Sequence, residues 1–217
     1  IKKLPAIEAI IITGVRQETT ILTSQLLLEQ HGDKVADGLK RIGTLMPDAR
    51  IWLTVPEHLR AWAEPRFAGL ATLEFLSTND AERIEREVVT RLLGRRIPSR
   101  ESYRHHGIAV MDVEYLLATV DALDGVSPFV QKCITISGEG IDQAVTVRFP
   151  LGSSLNHILA SQGLKLSDYT RSVVGGPMMG FAQYSGLTPI TFNNGIFLIV
   201  ADVKPFDPIA PCIFCGR

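Results

Sequence analysis

Cysteine is scarce in this sequence. Three residues, Cys133, Cys212 and Cys215, stand among 217. So low and odd a count excludes a disulfide framework and fits a reducing compartment. Charge of one sign is lacking too. Twenty-two Lys and Arg face 23 Asp and Glu, for a net charge of -1, so no bulk attraction to nucleic acid or anionic lipid is expected. No apolar run approaches the roughly 20 residues that span a bilayer. No signal-peptide pattern opens the chain. It begins at Ile1 without an initiator Met, and the expectation is a piece of a longer protein cut just before a strand. Gly-x-Gly-x-x-Gly and the P-loop are both missing, so the sequence gives no support to a self-contained nucleotide site. Internal repeats and low-complexity segments are likewise missing.

What is present is an ample apolar fraction, 46%, in an ordered pattern. "IEAIIIT" (7–13) is a continuous β-branched run that suits a strand covered on both faces. Helical spacing follows over 19–31 and 33–46, through Val35, Leu39 and Ile42, and Pro47-Asp48 breaks it. "RIWLTV" (50–55) and "ATLEFL" (71–76) read as strands. Ile84, Val88 and Leu92 share one face of a helix that Gly94 ends. "GIAVMDVEYLLATVDAL" runs from strand into helix. This alternation predicts an α/β unit with a mostly parallel sheet over 1–127. Near Gly125-Val126-Ser127-Pro128 the pattern changes. "QKCITISG" and "QAVTVRF" alternate as a strand pair, a helix carries Leu155, Ile158 and Leu159, and "RSVVGG" and "GIFLIV" add strands. Two strands, a helix, then further strands is the β-grasp order, expected over 128–202. "ADVKPFDPIAP" (201–211) reads as an extended linker.

Four features bear on chemistry. Cys212 and Cys215 in the terminal "PCIFCGR" stand at i and i+3, a spacing that lets two thiolates bind one metal or cluster. Half of a four-iron site, a zinc site, a redox pair and two ordinary cysteines all fit that motif. The redox pair is the weakest, because no strand feeds the motif into a helix N-terminus that would lower a thiol pKa. "VVGGPMMGF" (173–181) sets Gly175 and Gly176 before Met178 and Met179. Glycine permits close backbone approach, and methionine packs against flat or irregular surfaces. The alternative is a tight loop with its Met side chains in the core. Arg95, Arg96, Arg100, Arg104, His105 and His106 form a basic stretch that suits a phosphate, an acidic partner or plain solvent. "ITGVRQETT" (12–20) follows a strand end, where α/β sheets bind ligands. Gly14 and Glu18 stand there, although Glu18 also suits a helix N-terminus.

Taken together, "VVGGPMMGF", "CITISGEGI", "NNGIFLIV" and "PCIFCGR" resemble the C subunit of Rnf-type electron-transport complexes. Its relatives include the cobalamin reductase of propanediol utilisation and the complex I flavoprotein subunit. The resemblance runs over nearly the whole chain and is strongest from about 129. It implies an α/β fold: a Rossmann-like three-layer domain resembling the complex I flavoprotein, followed by a β-grasp, soluble-ligand-binding domain. It implies that 203–217 is a linker and the start of a truncated iron–sulfur module. Cys212 and Cys215 would then be the first ligands of 4Fe-4S clusters, with the rest beyond Arg217. Gly14, Glu18, Gly175, Gly176, Met178 and Met179 would be cofactor-binding positions, the two methionines near the contact with the cluster module. The family's Asn-Gly-x-Glu-x-Glu-Pro motif falls on Thr13–Thr19, where only Gly14 and Glu18 match and Arg16 reverses a charge. The Tyr-Pro-x-Gly segment and the glycines after Pro98 are missing as well. These departures count against FMN or NADH binding and leave a purely structural α/β domain open.

The implied role is an electron-transfer subunit, cytoplasmic and peripheral on the inner membrane. It would meet other subunits of a membrane complex, with ferredoxin or NADH as partners and no nucleic acid. The full-length protein would be an oxidoreductase subunit, with this stretch inactive alone. The rival is a non-redox adaptor or ligand-binding module whose Cys-x-x-Cys holds zinc or is vestigial.

Overall fold

The computed structural model describes residues 5–15, 23–77, 85–138, 141, 144–164, 170–176, 180–183, 185–192 and 196–201. Their strands form two β-sheets.

The first sheet holds β1 (Ala9–Thr13), β2 (Arg50–Pro56), β3 (Thr72–Leu76) and β4 (Ile108–Asp112), in the order β3-β2-β1-β4. All of its pairs are parallel. Between the strands run α1 (Thr23–Gln30), α2 (Gly32–Leu45), α3 (Arg60–Phe67) and α4 (Glu85–Leu93), and α5 (Val113–Leu123) follows β4. The alternation of β1 explains why it reads as an unbroken apolar run. Ile10 and Ile12 pack into one core with Leu28 of α1, Leu39 of α2, Phe67 of α3 and Leu116 of α5. Ala9 and Ile11 pack into the opposite core with Val88 and Val89 of α4 and Ile97. A strand buried on both faces favours apolar residues at successive positions, and the one buried polar side chain of β1, Thr13, hydrogen-bonds the Met111 carbonyl. The chain steps outward from β1 to β2 to β3, then returns to place β4 on the free side of β1. That reversal is a topological switch point.

The second sheet is mixed. Its strands are β5 (Gln131–Ser137), β6 (Val145–Pro150), β7 (Thr170–Val174), β8 (Phe181–Gln183) and β9 (Ile196–Ala201), in the order β6-β5-β9-β7-β8. β5 pairs antiparallel with β6 and parallel with β9, while β7 pairs antiparallel with both β8 and β9. One helix, α6 (Leu155–Ser161), covers a face of it. The Ser154 hydroxyl caps α6 by accepting from the His157 amide at 3.3 Å. Leu155, Ile158 and Leu159 are buried against Ile134 and Ile136. Burying each is worth roughly 1.5–3 kcal/mol relative to exposure. Strand β8 has no counterpart in the sequence reading.

β5 ties the two sheets together. Ile134 and Ile136 face α6, while Cys133 belongs to the core of the first sheet. The hydroxyl of Thr135 lies 3.1 Å from that of Thr23 on α1 and 3.1 Å from that of Thr146 on β6.

Candidate functional site

The switch point places the carboxyl ends of β1 and β4 side by side, with Thr13 in register with Asp112. The Thr13 hydroxyl donates to the Met111 carbonyl at 3.3 Å. Gly14 leaves β1 through a narrow gap. Its N–H donates to the Thr54 carbonyl at 3.0 Å. A Cβ there would stand 2.6 Å from the same oxygen and 2.8 Å from Leu28 Cδ2. The Gly14 N–H is therefore committed to β2 and is not offered to a phosphate.

Asp112 opens α5. Its carboxylate accepts from the Tyr115 amide at 2.9 Å, a conventional N-cap. Burial raises its pKa, opposed by that amide and by the charge of Lys132. One residue into the helix, Glu114 makes a buried ion pair with Lys132 of β5, Nζ to Oε2 2.8 Å. The two side chains are 9% and 5% exposed, respectively. The other Glu114 oxygen accepts from the Cys133 amide. For Lys132 the largest influence is burial, which lowers the pKa, but Glu114 and Asp112 outweigh it and the net shift is upward. The ammonium also lies 5.1 Å from the Tyr115 ring centroid, within cation–π range. Tyr115 reaches on to the second sheet's loops, its hydroxyl donating to the Phe192 carbonyl at 2.7 Å. Phe129 stacks between Tyr115 and Phe192, at 5.2 and 5.4 Å.

Next to this cluster is a cavity of about 250 Å³ between α5 and the start of β5, lined by Leu117, Asp121, Phe129, Gln131 and Arg148. The Arg148 Nε donates to Cys133 Sγ at 3.4 Å. Burial raises the Cys133 pKa, with Arg148 opposing. This thiol is thus kept protonated inside the sheet, unlike a reactive or metal-binding thiolate.

The glycines of "VVGGPMMGF", Gly175, Gly176 and Gly180, lie between two paired strands, Val174 of β7 pairing with Phe181 of β8. Gly175 adopts φ 99°, and the Gly180 N–H donates to the Gly176 carbonyl at 2.9 Å. A Cβ on Gly180 would stand 2.4 Å from Val173 Cγ1 and 2.5 Å from that carbonyl. Gly14 and the pair Gly175–Gly176 therefore belong to different sheets. Glu18, Met178, Met179, Cys212 and Cys215 lie outside the described residues. So do the 202–211 part of the linker and Ile84. His105 and His106 sit in a 3₁₀ turn, Tyr103–His106, rather than an extended loop. Among the described residues no group of three or more His, Cys, Asp or Glu side chains could hold a metal, and no helix is long and apolar enough to cross a membrane. The two thiolates at i and i+3 suit a cluster's donor chemistry but supply only part of a four-ligand set. The Glu114–Lys132 pair escaped the sequence reading. Its signal was a lysine in β5 sharing a face with Ile134 and Ile136.

No family model matches the chain. Over nearly its whole length it is nevertheless similar to C subunits of ion-translocating oxidoreductase complexes. The C subunit of the ion-translocating oxidoreductase complex of Rhodobacter capsulatus is 24% identical over 215 residues, covering 96% of this chain and 41% of the relative. The C subunit of the proton-translocating ferredoxin:NAD(+) oxidoreductase complex of Clostridium ljungdahlii is 24% identical over 97% of this chain and 47% of its own length. The sodium-translocating counterpart of Acetobacterium woodii is 21% identical, with shares of 97% and 49%. The resemblance to Rnf-type C subunits is thus borne out. The chain spans less than half the length of these curated relatives. Among solved structures, an NAD+-reducing [NiFe]-hydrogenase in the air-oxidised state has the same fold, with TM-score 0.65 and 20% identity over 90% of this chain and 40% of that one.

Proposed function

We propose that this chain is the central part of an electron-transfer subunit of an ion-translocating, Rnf-type oxidoreductase complex. The carrying observation is the similarity to C subunits from several bacteria over 96–97% of the chain, through both sheets. In this reading residues 1–127 are a domain like the complex I flavoprotein and 128–202 a β-grasp, soluble-ligand-binding domain. The mixed sheet supports the latter, since its first and last strands pair in parallel at the centre while one helix covers a face. Residues 203–217 lead into an iron–sulfur module. Cys212 and Cys215 would supply its first thiolates, and a cluster held there would provide the electron-carrying chemistry that the protein's own side chains lack. Gly175, Gly176, Met178 and Met179 shape the loop beside it. Gly14 is retained as the exit from β1, with its amide committed to Thr54, which argues for a structural α/β domain and against FMN or NADH held at this point. The relatives' names pair ferredoxin with NAD(+), and those are the donor and acceptor classes expected of the whole complex. It sits against the cytoplasmic side of the membrane.

The test is the protein extended beyond Arg217 and purified without oxygen. Iron and acid-labile sulfide in stoichiometric amounts, both lost on Cys212→Ser with Cys215→Ser, are the expected result. A colourless protein that binds zinc, or no metal, points to a non-redox module.

A further inference from the structure

Several cationic side chains on the described surface have a carboxylate partner. Arg41 reaches Asp37 and Asp124, Arg60 reaches Glu57 and Glu64, Arg66 reaches Asp33, and Lys34 reaches Asp121. The segment between α4 and β4 departs from this. Arg96, Arg100 and Arg104 are exposed and have no carboxylate partner among the described residues, and the same holds for Arg50 at the start of β2. The backbone that displays them is nonetheless pinned. Arg86 donates to the Ile97 carbonyl at 2.6 Å, and Ile97 is buried. Arg95 pairs with Glu8 and donates to the His106 carbonyl at 3.2 Å. His106 and Glu101 lie 2.6 Å apart, and the Glu101 amide closes a turn on the Pro98 carbonyl at 3.0 Å. Three like charges are thus held out on an ordered loop, with no carboxylate among the described residues paired to any of them.

Arg95, at the start of this loop, also borders a hollow of about 440 Å³ at the amino ends of β1 and β2. Trp52, Leu92 and Leu93 give it apolar walls, and Arg50 and Asp48 also border it. Glu8, also at the border, is neutralised by Arg95.

We propose that this corner is a docking surface for an acidic polypeptide segment carrying one apolar side chain. The apolar side chain enters the hollow, and flanking carboxylates are held by Arg50, Arg96, Arg100 and Arg104. The stretch 95–106 has four arginines and no lysine, and the guanidinium fork matches a carboxylate bidentately. A membrane fits less well. Every large hydrophobic side chain that is well exposed lies outside 95–106, and stable attachment to a bilayer draws on buried apolar area as well as charge. Because the loop is already ordered, little conformational entropy is lost on binding. The surface requires only an anionic chain and is independent of the cluster reading.

The test is fluorescence anisotropy with a labelled octapeptide of Glu and Asp around one central Leu, at low and moderate salt. Arg100→Glu and Arg104→Glu are each compared with Lys40→Glu, an equal change of charge at an exposed lysine on α2. Circular dichroism checks that all three fold alike. Expected are salt-sensitive binding, a loss of threefold or more for each arginine variant, about tenfold for the two together, and less than about twofold for Lys40→Glu. Replacing the peptide's Leu by Ser weakens binding if the hollow is used; equal affinity removes the hollow from the proposal. Absent binding, or equal loss in all three variants, overturns it. So does tighter binding to phosphatidylglycerol vesicles or a single-stranded oligonucleotide that the arginine variants abolish.

Discussion

Glu114 and Lys132 are the residues on which the junction of the two sheets turns. A charge at this depth is tolerated only with its partner present, and removing one partner of a buried pair costs about 3–5 kcal/mol. Glu114→Gln retains an acceptor oxygen but leaves Lys132 charged and unmatched. We expect a loss of about 3 kcal/mol in urea unfolding at neutral pH. The pH profile distinguishes this from a packing defect. The folded pKa of Lys132 is raised, so its stabilisation is complete below the unfolded lysine value, about 10.4, and is lost as pH rises through the folded value. In Glu114→Gln burial acts with less opposition and that alkaline loss shrinks or reverses in sign. An unchanged alkaline profile would refute the pairing. The sequence hinted at Lys132 by face alone. Glu114, two residues after a helix cap, has the pattern of any first-turn acid, because which face of α5 meets β5 is decided only by the return of the chain.

At the level of elements, pattern and packing agree where a strand is covered on both sides. β1 and β2 were legible from their near-continuous apolar runs, which suit burial on two faces, and β5 from its alternation. β8 was not, since three residues at a sheet edge beside glycines carry no period. Its Phe181 is 77% exposed. Glycine spacing was visible, but its cause was not. Gly14 reads equally as a ligand-binding glycine and as a close crossing, and the Thr54 carbonyl argues for the crossing. Gly14→Ala therefore forces backbone against backbone at the β1 exit. A destabilisation of about 1–3 kcal/mol is expected, read as a lowered melting temperature. A fully stable Gly14→Ala protein would mean that the β1 exit is looser than its geometry.

For the molecule as a whole, the alternation of strands and helices indicated the parallel sheet of the first half. The parallel pairing of β5 with β9 was out of reach, because their separation in sequence hides the contact. Among the described residues the units are joined by Thr23 with Thr135, Glu114 with Lys132 and Cys133, and Tyr115 with Phe192, together with the packing of Phe129 on Tyr115 and of Cys133 in the first sheet's core. Both tryptophans, Trp52 and Trp62, report on the first sheet alone. Wild-type unfolding followed by tryptophan fluorescence should coincide with far-UV circular dichroism. In Glu114→Gln the two curves should separate, since the link that makes the units unfold together is lost. Coincident curves in the variant would mean that the remaining contacts suffice.

β9 fills the centre of its sheet although it comes last. During synthesis the hairpin β5–β6 and the strand β7 emerge from the ribosome well before Ile196. Until then two hydrogen-bonding edges stand open where the middle strand will insert, an invitation to pair with a neighbouring nascent chain. The parallel sheet has no such wait, because β4 completes it before β5 is translated. Vectorial synthesis thus gives the second sheet a finished platform, with Glu114 already in position to receive Lys132 as it arrives.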